Sequence, residues 1–451
     1  MSATPETSAT GRIVDYVLRA KASDIPAAVR KEGLRSFFNI LGCTVGGARH
    51  PAVDTTWAMM KPFAGAPRAT LIGRAERTDA LTAALINTLA SSIATNDDTH
   101  AEAIVHPSGP VMAAVLAVAE QKAVTGSELL TAFTLGVEVV CRLSKAVSVA
   151  PAKGNIAWSQ TGICCGTGAA LAASRLLGLD RNATRQAVGH AASQASGLRA
   201  AHGTMCTAMM PAVAGQSGLR AAYFARGGVT STTVALEHRF GFMSTFAETA
   251  HLDHLTGGLG ERFEILGNTY KPFACGIVIN PLIDATLQVR AEQSIDWNQV
   301  ERISMRCNPG ALALCDRRHP KDEFEGQVSL YHWVAAAMIR GKAGIAEGAD
   351  AAIEDAGIAQ FRERIFAVAD PAIPIDGVDM TITLQGGRAI EKRLRDCIGS
   401  KGRPMTDAQL EAKFESLATG ALPAERSKRL IADCWRLETL PDAAQLIRGA
   451  A

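Results

Sequence analysis

Residues Val378–Leu394 read VDMTITLQGGRAIEKRL, an alternating apolar–polar run to Leu384, the pair Gly386-Gly387, then a second alternating run over Arg388–Leu394. Alternation with period two puts one set of side chains on one face of a strand. A glycine pair supplies the positive φ angles that a tight turn demands. The segment therefore reads as a β-hairpin with one buried face. Upstream, Val300–Cys307 (VERISMRC) alternates in the same way and reads as a third half-buried strand. Between these strands Gly326–Ile339 (GQVSLYHWVAAAMI) and the region Ala351–Phe366 carry helical patterns. A mixed α/β unit is expected over residues 269–404.

Outside that unit the pattern is helical. From Ile13 to Gly257 helix follows helix, with Leu129, Phe133, Val137 and Val140 spaced on one face behind a capping box at Thr125 and Glu128. Asp180 is placed to cap a helix through Ala183, Ala187 and Ala191. Gly162, Gly166 and Ala169 give a small-residue stripe that lets backbones approach. Thr406 with Gln409 forms another capping box, stapled by Met405 and Leu410, so helix resumes there. The C-terminal helices are expected to pack back on the first domain. The expected fold class is α+β: a large all-helical domain, residues 1–268 plus 405–451, with a smaller inserted α/β lid domain, residues 269–404. At 451 residues the chain exceeds what one core usually supports.

Bulk properties exclude several function classes. Net charge is only +2 and the basic residues are scattered, so no stripe exists for a nucleic-acid backbone. The apolar stretches Val111–Ala119 and Gly162–Leu179 are too short or too interrupted to span a bilayer, so no membrane partner is expected. The polar N-terminus (MSATPETSATGRIVDYVLRA) does not read as a secretory signal. Ten cysteines contain no CxxC pair, which argues against a disulfide framework and a zinc ribbon. A cytoplasmic protein with reduced thiols is the expectation.

Three segments carry candidate chemistry. Asn96–Pro110 (NDDTHAEAIVHPSGP) bunches Asp97, Asp98, Thr99, His100, Glu102 and His106 between apolar runs. Carboxylates beside imidazoles can hold a His tautomer and tune it for proton transfer. The bland alternative is a solvated loop with capping aspartates. A metal centre would need a ligand spacing such as HExxH, and none is present, so no metal is expected. Ala192–Ala222 places His202 in a stretch rich in small residues, and its Met205, Met209 and Met210 read as packing. Thr269–Pro281 (TYKPFACGIVINP) sets Lys271 at the expected domain joint, a favoured place for a ligand cleft. Gly162–Ser174 lacks GxxxxGK[ST] and reads as helix packing rather than a phosphate loop.

The series DDTH…HPSGP, ASQASG…GTM, YKPFACG, GQVSLYHWVAAAMIRGKAG and PMTDAQLEAKF resembles the MmgE/PrpD superfamily over nearly the whole chain. That resemblance implies a homodimer, a helical domain with an α/β lid, small organic-acid substrates with several carboxylates, and no organic cofactor. It carries Asp98, Thr99, His106 and Lys271 over to family positions, with Asp97 in the same acidic motif. It also marks departures: Thr95 where an aspartate is usual, Ser159 after Trp158 where a histidine is common, Met210-Pro211 and Val213 where Lys-Pro and a nearby His are common, and Leu314 where some decarboxylases have tyrosine. Either the substrate carries fewer charges, or His100, His202, Arg317 and Arg318 compensate, or the site has decayed. The reading is a lyase, dehydratase or decarboxylase, working by proton transfer α to a carboxylate. His106 moves the proton, Asp97 or Asp98 orients an imidazole, and Lys271 stabilises substrate charge. Thr99, His100, Ser159, His202 and Arg317 bind substrate. An epimerase, or a catalytically silent partner subunit, stands as the alternative.

Overall fold

The structure, a computed structural model, describes residues 8–450; residues 1–7, part of the N-terminal segment read above as no secretory signal, lie outside the described residues. The body is helical: α1 (Ala27–Gly47), α2 (Ala80–Ile93), α3 (Ser108–Ala119), α4 (Gly126–Ser148), α5 (Gln160–Leu177), α6 (Arg181–Ser193) and α7 (Cys206–Arg226), with shorter helices between. Every residue of α3 is buried, which is why its sequence is apolar or small all round. Helices α5 and α7 meet without side chains between them. A Cβ on Gly218 would lie 2.4 Å from the Gly166 carbonyl oxygen. The stripe begun at Gly162 and Gly166 is therefore a packing device, as read.

Asp180 caps α6 by accepting the Ala183 N–H at 2.7 Å. At the start of α4 Thr125 accepts the Glu128 N–H, but the Glu128 side chain does not close the box. Arg175 of α5 takes both its carboxylate oxygens, at 2.8 and 3.0 Å.

Two short strands, β1 (Asp98–His100) and β2 (Asn268–Tyr270), pair antiparallel in the register Asp98↔Tyr270, Thr99↔Thr269, His100↔Asn268. After β2 the chain enters the α/β part. Here α8 (Asn280–Gln293) and α9 (Leu330–Arg340) cover a four-stranded sheet made of β3 (Val300–Cys307), β4 (Ile365–Ala369), β5 (Val378–Leu384) and β6 (Ala389–Leu394) in the order β6-β5-β3-β4. The hairpin has the expected turn, and Val378, Met380, Ile382 and Leu384 are its buried set. Strand β4 runs parallel to β3. It corrects the reading of Ala351–Phe366 as helix. Asp355 accepts the Gly357 and Ile358 N–H groups and starts a new short helix, which ends at Arg362 and frees Ile365 to join the sheet core. The 326–339 helix likewise starts only at Leu330, capped by Ser329.

The closing helices are α10 (Asp407–Ala418) and α11 (Ala424–Trp435). Both halves of the Thr406–Gln409 capping box are made, at 2.8 and 3.2 Å. Phe414 and Leu417 fill the grooves left by Gly42 and Gly46 of α1, and Phe38 stacks on Trp435 at 4.2 Å between centroids. The C-terminal helices thus share the core of the helical body, while residues from Phe273 to Leu384 form a second core of their own. No helix among the described residues is long and apolar enough to cross a membrane.

Candidate active site

The strand pair β1·β2 builds the site. Asp97 precedes β1 and Lys271 follows β2, so the antiparallel register brings them side by side. Lys271 Nζ donates to Asp97 Oδ1 at 2.9 Å, with the two side chains only 1% and 7% exposed. Beyond His100 the chain turns back on itself, closed by the His100 N–H to the Val105 carbonyl. This return lays the His106 ring against β1. Its Nδ1 lies 3.0 Å from the Asp98 main-chain oxygen, 3.0 Å from Thr99 Oγ1 and 3.7 Å from Asp97 Oδ1.

Backbone strain marks the same loop. Among the described residues the non-glycine positions with positive φ are Thr95 (55°), Ile104 (47°) and Ser294 (48°), and the first two line the cavity described next. A left-handed β-branched residue costs about 1–3 kcal/mol, and such positions cluster where geometry serves a site.

A cavity of about 140 Å³ lies between the helical body and the α/β part. Thr95, Asp97, His106, Ser159 and Arg199 come from the body; Lys271, Ile277, Val278, Leu314 and Gln327 come from beyond β2. A single water needs roughly 10–15 Å³ by this kind of measure, so a small organic acid fits.

Protonation follows from the contacts. A carbonyl oxygen only accepts, so the Asp98 oxygen fixes the His106 proton on Nδ1. The other nitrogen, Nε2, makes no hydrogen bond to the described protein and is open to the cavity. Burial pushes His106 down to about 4, against the opposing pull of Asp97. The ring is neutral near pH 7 and presents a free lone pair. Burial works to raise Asp97 too, but His106 and Lys271 together hold it below the ordinary carboxylate range. Asp98 is different. Burial lifts it to about 6 although Asn268 and Ser108 both donate to its Oδ2, and its Oδ1 has no hydrogen-bond partner among the described residues.

The residues expected from sequence are thus divided. Asp97, His106, Lys271, Ser159 and His202 line the cavity. Ser159 also caps α5, accepting the Gly162 N–H. Five others lie off its wall. Asp98 turns its side chain to Ser108 and Asn268, so its main chain, not its carboxylate, orients His106. Thr99 is fully buried behind the His106 ring. His100, expected to bind substrate, faces Glu264 at 3.7 Å on the far side of β1. Arg317 packs beside Gly203 and pairs with Glu325 at 3.6 Å, and Arg318 lies on the Tyr331 ring at 3.9 Å. Of the methionines read as packing, Met210 is buried on the cavity wall and Met205 is half exposed.

Sequence reasoning missed Arg199, Thr161 and Gln327. Thr161 Oγ1 accepts the His106 N–H at 3.0 Å. Gln327 bonds Thr95 Oγ1 and the Ile93 carbonyl, tying the α/β part to the strained loop. Arg199 supplies the cation that His100, Arg317 and Arg318 do not. Its signal was present: it is the only Asp, Glu, Lys or Arg between Arg185 and Arg220.

Asp98→Asn is expected to fold and to keep activity within a few-fold, because the amide oxygen can replace Oδ2 and the main chain still holds His106. Asp98 binds its proton more tightly folded than unfolded, so the stability it contributes is lost as pH rises from about 4 to about 6. The variant lacks that loss and gains relative to wild type between pH 4 and pH 7. Urea denaturation at both pH values, with an activity assay, checks this; a loss of activity by orders of magnitude would put the carboxylate itself in the chemistry.

The chain matches the MmgE/PrpD N-terminal domain over residues 11–255 and the MmgE/PrpD C-terminal domain over residues 273–437, and it belongs to the MmgE/PrpD family. It is similar to the cis-aconitate decarboxylase-like protein oryM of Aspergillus oryzae, at 23% identity over 471 residues covering 98% of this chain and 97% of that protein. It is also similar to cis-aconitate decarboxylase of Aspergillus terreus, at 23% identity over 474 residues covering 98% and 96% of the two chains. The mouse cis-aconitate decarboxylase (Mus musculus) matches at 23% identity over 98% of this chain and 93% of its own length.

Proposed function

We propose that this protein is a lyase that works by proton transfer at a carbon beside a carboxylate of a small organic acid: removal of that proton drives loss of water, or a proton delivered to the carbon replaces departing carbon dioxide. The observation that supports this best is the pose of His106: Nδ1 is tied to the main chain, and Nε2 is free at a cavity that also holds Lys271. In this reading His106 Nε2 takes the α-proton, and the C–H electron pair moves toward the carboxylate. The Lys271 ammonium, held at its post by Asp97, stabilises the negative charge that develops there. In the dehydratase form the pair then closes a C=C bond as a β-hydroxyl departs with a proton as water. The likeness to cis-aconitate decarboxylases supports the lyase class, and the family resemblance supports a homodimer as the working assembly.

Proton NMR of a panel of small carboxylic acids in heavy water, with and without protein, tests the reaction. A new alkene signal that grows with protein is the expected result. Deuterium incorporation without net conversion would replace the lyase by an epimerase. No exchange and no conversion across the panel would leave a silent partner subunit.

A further inference from the structure

The charged side chains on the cavity wall are few. Among the lining residues they are Asp97, Lys271 and Arg199. Lys271 gives Asp97 one hydrogen bond at 2.9 Å, and its ammonium carries further N–H donors. Among the described residues no carboxylate pairs with Arg199. Its Nε donates to the Trp158 carbonyl at 3.2 Å and its Nη2 to Gln160 Oε1 at 2.5 Å, both neutral oxygens, and Nη1 makes no hydrogen bond to the described protein. Its main-chain N–H is fixed to the Ala157 carbonyl at 2.9 Å. Partial burial and the adjacent Arg199 charge both push His202 below its ordinary range, so it adds no further cation at neutral pH. A guanidinium held by two neutral acceptors, with donors to spare, is a preorganised clamp for a carboxylate.

One part of the wall is apolar. Ile277, Val278, Leu314, Phe324, Val328 and Met210 present hydrocarbon or thioether surface and no charge. A third carboxylate placed there would be desolvated without a cation, which is costly. An alkyl group placed there would gain about 0.8 kcal/mol for each buried methylene.

Building on the lyase reading, we infer that the substrate is a dicarboxylate bearing an apolar substituent: Arg199 clamps the carboxylate remote from the reacting carbon, Lys271 takes the adjacent one, and the substituent lies on the Ile277–Leu314 wall. Arg199 is then a specificity-determining residue, and the compact tricarboxylates are poor ligands of this chain.

Calorimetric titration of the purified full-length protein with succinate, 2-butylsuccinate, tricarballylate and hexanoate tests this. In wild type 2-butylsuccinate is expected to bind roughly 10–100-fold more tightly than succinate, as burial of its chain implies. Tricarballylate is expected to bind more weakly than either. Arg199→Gln is expected to weaken both succinates by about 10–100-fold, the usual cost of a lost charge-assisted hydrogen bond, and to change hexanoate little. Tightest binding by tricarballylate, or hexanoate matching 2-butylsuccinate, would overturn the inference from wild type alone. Unchanged binding of the succinates in Arg199→Gln would also overturn it while leaving the lyase reading intact. Absence of binding by every acid would remove both.

Discussion

His106→Ala is expected to lower turnover by about 10²–10⁴-fold with the fold retained, the usual loss when a positioned proton-transfer group is removed. The fold should survive because the ring is a local decoration of a tied backbone. The His106 N–H still reaches Thr161 Oγ1, and the side chain is 29% exposed before it is removed. The lost Nδ1 bond to the Asp98 oxygen is worth only about 1 kcal/mol. His106→Gln fills the same space and offers polar atoms, but it cannot take a proton at neutral pH, so it should lose as much as alanine. The pH profile gives an independent check. The competent form is the neutral ring, and burial sets its proton uptake near 4. Activity is therefore expected to hold on the acid side to about pH 5 and to fall through about pH 4. Stability follows the same direction. The unfolded ring takes up its proton near 6.5 and the folded ring only near 4, so stability contributed by this residue is lost as pH falls through that window. Circular dichroism, steady-state kinetics and urea denaturation across pH measure all three. Undiminished turnover in either variant would remove His106 from the chemistry.

Lys271→Met is expected to abolish measurable turnover and to destabilise the protein by about 3–5 kcal/mol, the usual effect of removing one partner of a buried ion pair. The Asp97 carboxylate is only 7% exposed and would be left without its direct cation. A stability loss alone could explain a dead variant, so the double variant Asp97→Asn/Lys271→Met separates the effects. With both members of the pair uncharged, it should recover most of the stability and none of the activity. Denaturant midpoints and turnover of the single and double variants decide this. Recovery of activity along with stability would make the pair purely structural.

The local signals in this chain were legible, and the long-range ones were not. The Gly386-Gly387 turn, the alternation in Val300–Cys307 and the Thr406–Gln409 box each depend on a few neighbouring residues, and each formed as read. Strand β4 escaped because Ile365–Ala369 is short and its pattern merges with the helix before it. Its parallel pairing with β3 is visible only in three dimensions. The site shows the same division. Asp97 and His106 stand close in sequence and could be grouped by eye. Lys271 is 174 residues from Asp97, and only the β1·β2 register makes them neighbours. His100 and Arg317 suit a carboxylate site by residue type alone. The alternation of a strand turns His100 away from the cavity, and Glu325 draws Arg317 aside. Arg199 stands alone in an uncharged stretch of small residues, and that isolation is itself a signal of a placed charge.

A crystal structure of the protein with succinate bound bears most directly on the facing of His106 and Lys271. One carboxylate oxygen should lie within about 3.2 Å of Lys271 Nζ, hydrogen-bond distance. The neighbouring carbon should lie about 3–3.5 Å from His106 Nε2, the range of a near-attack pose. Succinate bound at another surface, or a His106 ring that presents no nitrogen to the ligand, would contradict it.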